Sequence, residues 1–337
     1  MPAVVLQYFS LLPPAACRLP PAACNVLRMS TPLTGTVVRL HGHHAWVRSD
    51  SAEYMCAVRG KFKQGKRRER SPVVVGDRVT FTPVPESDQQ EGLLQSLEER
   101  RSELYRAHPR FPRQRQVLAA NIDLLVIVAG ADRLAEQLET VDRLLISAYS
   151  QGLTPLIVIN KLDLVQRSEI EPLLAEYAPV IEIEYVSAEQ GELGTLKPRF
   201  DGKTAVFAGP SGVGKSSIMN ALEPGLGLRI GHVDKEGEGR HTTTHASLVP
   251  MAGGLVIDTP GVRDFGFWNL ELHEISLYYP DWQSAREQCR FNTCTHRHEP
   301  GCGVKAAVEQ GAISQGRYGR YLTILRETWN EQQRIGY

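Results

Sequence analysis

Residues 203–222 read KTAVFAGPSGVGKSSIMNAL, and the change of texture along this stretch decides the fold. TAVFA is a short apolar run of the kind that makes a buried strand, and SSIMNAL suits a helix. Between them, Gly209, Pro210, Ser211, Gly212, Val213, Gly214, Lys215 and Ser216 have the spacing of a phosphate-binding turn. Glycines in such a turn let backbone N–H groups point inward around phosphates. Lys215 is placed to reach the β- and γ-phosphates and to assist catalysis, Ser216 is placed to ligate Mg²⁺, and Ser217 follows at the start of the helix.

Working outward, the runs IDLLVIVAG at 122–130, TPLIVINK at 154–161, VIEIEYVSA at 180–188 and LVIDTPG at 255–261 are further apolar strands. Helical spacing appears between them, as at Leu134, Leu138, Val141 and Leu145. Strands alternating with helices predict an α/β unit over 116–270, a mostly parallel sheet with helices on both faces. Asn160, Lys161 and Asp163 end one strand as NKLD, and Ser187 and Ala188 end another. A carboxylate at Asp163 can accept from both the ring N–H and the exocyclic amine of guanine, whereas adenine would leave it unpaired. Asp258 and Gly261 frame DTPG, with Asp258 at a strand end facing the Mg²⁺ position. Thr243, in HTTT, is the expected closing Mg²⁺ ligand. No Gln follows DTPG to orient water, so His241 is the candidate catalytic residue.

The order of these motifs is itself informative. NKLD and Ser187–Ala188 precede the phosphate turn, which precedes DTPG, whereas Ras-like GTPases carry the phosphate turn first. The unit is therefore expected to be a circularly permuted P-loop GTPase domain.

On the N-terminal side, five short β-rich runs over 34–99 predict an OB-like β-barrel. The loop between the third and fourth carries Lys61, Lys63, Lys66, Arg67, Arg68 and Arg70, as an RNA-binding barrel would. Residues 100–115 hold six arginines and two prolines and are expected to be a basic linker. Residues 1–33 are expected to be a disordered extension or one preceding the true start at Met29, because the patterned sequence begins near Thr34.

On the C-terminal side, 271–337 is expected to be a zinc-binding helical domain. Cys289, Cys294, His296 and Cys302 supply three thiolates and an imidazole, enough for one structural Zn²⁺, with His298 as an alternative to His296. The segments KAAVEQGAIS and YLTILRETWNEQQRI look helical, with Arg317, Arg320 and Arg326 making a basic face.

Composition bounds the function. The 337 residues include 38 basic and 38 acidic side chains, so net charge points to no particular partner. No apolar run is long enough to cross a bilayer, and the sparse cysteines suit a reducing cytoplasm.

A preceding barrel, permuted motifs and a following CxxxxCxHxxxxxC cluster together resemble the ribosome small-subunit-dependent GTPase A family, RsgA or YjeQ. The strings NIDLLVIV, GPSGVGKSS, GRHTTTH, DTPGVRDF and CTHRHEPGCGVKAAVEQGAIS carry the resemblance, which covers about residues 34–330. It implies a monomeric GTPase that binds the small ribosomal subunit and its rRNA during late maturation, turns over GTP to GDP faster when bound, and then leaves. It also implies His241 as the catalytic histidine and His296 as the fourth zinc ligand. The alternative is a GTP-dependent switch acting on another RNA or on a protein, separable by stimulation with ribosomal subunits.

Overall fold

The computed structural model describes residues 31–58, 73–85, 90–108, 111–226, 246–258 and 267–335. The expected N-terminal extension falls almost wholly outside these residues. The lysine- and arginine-rich loop at 61–70 does so entirely.

Strands β1 (Leu33–His41), β2 (His44–Arg48), β3 (Glu53–Ala57), β4 (Arg78–Pro83) and β5 (Glu91–Leu97) pair in the order β1-β2-β3-β5-β4, and β4 returns to β1. Only β3 and β5 run parallel in this ring, a Greek-key closure of the OB kind. Alternation drives it: Ala45 and Val47 on β2 point inward with Val37, Cys56, Val79, Phe81 and Leu94, all wholly buried, while His44 and Arg48 face out.

Residues 100–115 depart from the expected linker. Here β6 (Glu103–His108) and β7 (Phe111–Ala120) form an antiparallel hairpin, and β7 crosses the boundary expected at residue 116. Two physical features override the linker composition. Two of the arginines are paired rather than solvated: Arg100 lies 2.7 Å from buried Asp77 and 2.8 Å from Glu103, and Arg115 lies 2.7 Å from Glu103. Pro112 falls where the register jumps between Phe111 and Arg115, a place that needs no ladder donor.

The α/β unit contains β8 (Leu124–Gly130), α1 (Leu134–Ser150), β9 (Thr154–Asn160), α2 (Arg167–Leu174), β10 (Ile183–Tyr185), β11 (Thr204–Ala208), α3 (Lys215–Leu222), β12 (Ser247–Met251) and β13 (Gly254–Asp258). Its strand order is β10-β9-β8-β11-β13-β12, parallel except for β12. All seven residues of β8 are buried, and their alternation sorts the helices. Leu125, Ile127 and Ala129 pack with α1 and α2, whereas Leu124, Val126 and Val128 pack with α3. Each of the leucines, valines and Ile127 contributes about 1.5–3 kcal/mol on burial, so this central strand anchors both faces. Arg39 on β1 pairs with Ser247 on β12, which joins barrel and α/β unit into one eleven-stranded sheet among the described residues.

The C-terminal unit holds α4 (Gln283–Arg286), α5 (Gly303–Glu309) and α6 (Gln315–Ile335) around Ile275, Tyr279, Trp282, Tyr321 and Ile324. Ile146 of α1 belongs to the same core, so the unit is docked on α1. Two members of the expected basic face of α6 are not solvated. Arg317 is 3% exposed and lies 3.1 Å from Asp281, and Arg320 binds Asp142 and Glu176. They fall at helical spacing with buried Tyr321, Ile324 and Thr328, which turns them toward α1 and α2.

Candidate nucleotide and metal sites

Three neighbouring strands release their chains at the same carboxyl edge, where ligands of open α/β sheets bind. The turn after β11 is held open by glycine at two points. Gly209 has φ +141°, and a Cβ there would sit 2.1 Å from the carbonyl oxygen of Val128. Gly214 has φ +90°, and a Cβ there would meet Asn160 Nδ2 at 2.2 Å. Only glycine fits either position.

Asn160 explains the second constraint. It is 2% exposed, its amide donates to the Val213 carbonyl at 2.9 Å, and its side-chain oxygen accepts from the Ala188 N–H at 3.1 Å. One buried side chain thus ties the phosphate turn to the loop after β10. Ser187 Oγ donates to Asp163 Oδ1 at 2.5 Å and accepts from the Gln190 N–H at 3.2 Å. That leaves the second carboxylate oxygen of Asp163 outside this bond and aims the group with a fixed orientation.

Lys161 takes the left-handed conformation, φ +66°, and its ammonium lies 3.2 Å from Asp132. The chain then turns so that the Leu162 N–H bonds the Val186 carbonyl at 3.2 Å. Lys215 folds back over its own turn, donating to the carbonyls of Gly209 at 2.9 Å and Pro210 at 2.8 Å. Ser216 and Ser217 lie in the first turn of α3, half-buried, while Ser211 and Gly212 are exposed at the rim.

The structure therefore brings Asn160, Lys161, Asp163, Ser187, Ala188 and the residues of the 209–217 turn to one edge. His241, Thr243 and Gly261 lie outside the described residues, as does the side chain of Asp258, whose backbone ends β13. Asp132 escaped notice in the sequence. It lies in the turn just after β8, the strand that pairs with the one ending in NKLD, a neighbourhood that only the strand register reveals.

The second site lies between α4 and α5. One ligand atom from each of Cys289, Cys294, His296 and Cys302 lies within 4.8 Å of every other. His296 Nδ1 is 3.5 Å from Cys289 Sγ and 3.4 Å from Cys302 Sγ, and the two sulfurs are 4.0 Å apart. A tetrahedral ion at ordinary metal–thiolate and metal–imidazole distances sets its ligand atoms about 3.5–3.8 Å apart, so the set fits a single ion. His298 is exposed and takes no place in the cluster.

The surroundings prepare the ligands. Burial brings His296 down to about 4, keeping the imidazole neutral as a ligand must be. Its Nε2 lies 2.9 Å from Ser276 Oγ, a buried partner that holds the ring. Burial pushes the Cys294 thiol up to about 12 and raises Cys302, so neither ionises readily without a cation beside it. Cys302 also accepts from the Lys305 N–H at 3.4 Å, capping α5.

The RsgA GTPase family model matches residues 97–268. The Small ribosomal subunit biogenesis GTPase RsgA of Moorella thermoacetica is 37% identical over 299 residues, spanning 88% of this chain and 97% of the relative. The protein of the same name from Flavobacterium johnsoniae is 33% identical over 301 residues, spanning 87% and 93%. Among solved structures, YjeQ from Thermotoga maritima superposes with a TM-score of 0.71 at 31% identity, covering 88% of this chain and 99% of its own. YloQ, a circularly permuted GTPase, does so with a TM-score of 0.66 at 30% identity, covering 90% and 98%.

Proposed function

Since this chain belongs to the RsgA GTPase family and is a GTP-hydrolysing enzyme, we propose that it binds the small ribosomal subunit as a monomer in the cytoplasm. There it assists late maturation and couples GTP hydrolysis, stimulated by the subunit, to its own release. The names borne by its relatives support the partner. The observation that carries the nucleotide assignment is the buried Asn160, which joins the phosphate turn to the Ser187–Ala188 loop beside Asp163.

In this reading Asp163 selects guanine, Asn160, Ser187 and Ala188 shape its pocket, and the N–H groups of 209–217 cradle the phosphates with Lys215 against the β- and γ-oxygens. Ser216 and Thr243 would hold Mg²⁺, which when bound neutralises charge on the phosphates, with Asp258 and Gly261 beside it. His241 orients water for attack. Cys289, Cys294, His296 and Cys302 would hold one structural Zn²⁺, which cross-links the loops around α4 and α5. The barrel over 34–99 and the basic loop at 61–70 face rRNA.

A route for coupling is supported by what lies past DTPG. Trp268 packs edge-on against Tyr105 of β6 at 6.0 Å and beneath the Arg115 guanidinium at 5.9 Å, and the Leu270 carbonyl accepts from Gln332 of α6 at 2.9 Å. Trp268 and Leu270, which follow DTPG in the chain, thus touch the hairpin and the C-terminal helix respectively. The test is GTP turnover by the full chain alone, with purified small subunits and, as control, with large subunits. Stimulation by small subunits alone is expected; equal turnover under all three conditions would remove the ribosomal partner.

A further inference from the structure

β8 and β9 run parallel with Gly130 opposite Asn160, so the chains leaving them emerge side by side at the ligand edge. Asp132 follows one strand and Lys161 the other, and their 3.2 Å ion pair closes across the gap. Their side chains are 26% and 27% exposed, and the bond itself is open to solvent, which places the pair at the rim of the site. Arg133 approaches the same oxygen only at 3.9 Å and is 55% exposed, a weaker competitor.

Asp132 also has a built seat. A Cβ on Gly130 would lie 2.5 Å from Asp132 Oδ1, so the carboxylate occupies the space a side chain at 130 would fill. Gly130 has φ −92°, open to any residue, so space and not backbone conformation calls for glycine here. The turn beneath is pinned by buried Gln137, whose Oε1 accepts from the Gly130 N–H at 2.8 Å.

We infer that Asp132 is a positioning residue for nucleotide binding. It anchors the Lys161 ammonium so that the lysine stem and the 160–163 turn are preset for a guanine nucleoside before it arrives. This rests on the assignment of NKLD to the base. A free lysine would have to be ordered at each binding event, and that entropy would weaken affinity. Because the described bonds of the pair reach no residue of the 209–217 turn, its loss is expected to act on nucleotide retention rather than on hydrolysis.

The experiment measures release of fluorescent GDP and steady-state GTP kinetics for the full chain, using Asp132→Asn, Gly130→Ala, Lys161→Gln and the Asp132→Asn/Lys161→Gln double variant. Asp132→Asn is expected to speed GDP release about 3- to 10-fold, with the change falling on KM rather than kcat. Gly130→Ala should reproduce it with every charge intact, by pushing the carboxylate off its seat. In the double variant the two effects should not add, because both remove one pair. If Asp132→Asn still speeds release on the Lys161→Gln background, or does nothing while Lys161→Gln acts, the positioning role is overturned. An Asp163→Asn control separates the two assignments. Unchanged GDP binding in both Asp163→Asn and Lys161→Gln would remove the base site, and the role of Asp132 with it.

Discussion

Arg320 on α6 reaches across to α1 and places its Nε 2.6 Å from a carboxylate oxygen of Asp142, a fully buried side chain whose other oxygen accepts from Tyr177 at 2.7 Å. Burial pushes the Asp142 carboxyl upward, and Arg320 and Arg317 oppose it by favouring the charge. Removing one partner strands the other. Arg320→Met is therefore expected to cost about 3–5 kcal/mol, and adding Asp142→Asn to it to recover part of that loss. Urea midpoints of the parent and the two variants check this; equal midpoints for Arg320→Met and the parent would mean that the pair is solvated.

Gly214→Ala tests the join between phosphate turn and base loop. The new methyl would collide with Asn160 Nδ2, and the residue would be held at φ +90°. Expected are a stability loss of about 1–3 kcal/mol and, as Asn160 is pushed off Val213 and Ala188, GTP affinity lower by at least about tenfold. Equilibrium titration and thermal melts read the two separately. Ser211, exposed at the rim of the same turn, provides the comparison: Ser211→Ala should leave stability unchanged.

These cases show what the sequence made legible. The phosphate turn, NKLD and the Cys/His cluster could be read because their chemistry is packed into a few consecutive residues whose spacing fixes the geometry. Asp132 and its seat at Gly130 were not, because their meaning comes from the register of β8 against β9. Residues 100–115 look like a linker by composition, since prolines and arginines usually mark solvated chain. Partners 23 and 12 residues away, Asp77 for Arg100 and Glu103 for Arg115, made a hairpin of them. The burial of Arg317 and Arg320 was in principle readable from their helical phase with Tyr321 and Ile324.

Removing metal should act on the C-terminal unit first. Cys294 and Cys302 are part of its core, and Cys302 also caps α5, so losing an ion there opens loops and helix together. One Zn²⁺ per chain is expected by elemental analysis. Chelation, or Cys302→Ser, should lower the melting temperature by at least about 5 °C, since ligation energy is folding energy in such a unit. Ser276→Ala, which removes the partner of His296 Nε2, should weaken zinc retention about 10- to 100-fold in competition with a chromophoric chelator. Retention equal to the parent would show that Ser276 does not orient the ring.

Glu299 makes the acid limb of stability testable. It accepts from the Thr295 N–H at 2.8 Å, the Thr295 hydroxyl at 2.6 Å, the Arg297 N–H at 3.0 Å and the His298 N–H at 3.1 Å, closing the loop that carries His296. Burial pushes this carboxyl up, but the bonds from Thr295 and His298 outweigh it and bring it down to about 2. A carboxyl held lower in the folded chain stabilises it above the unfolded value near 4.5, and the contribution fades as pH falls toward 2. At pH 7 Glu299→Ala should cost about 1–2 kcal/mol, because three N–H groups lose a charged acceptor, less the share that solvent screens at this partly exposed carboxylate. The gap between variant and parent in urea unfolding should shrink steadily below pH 4.5. Thiolate protonation affects both proteins alike and cancels in that difference. A gap that stays constant down to pH 2.5 would mean that shape, and not the charge of the carboxylate, holds the loop.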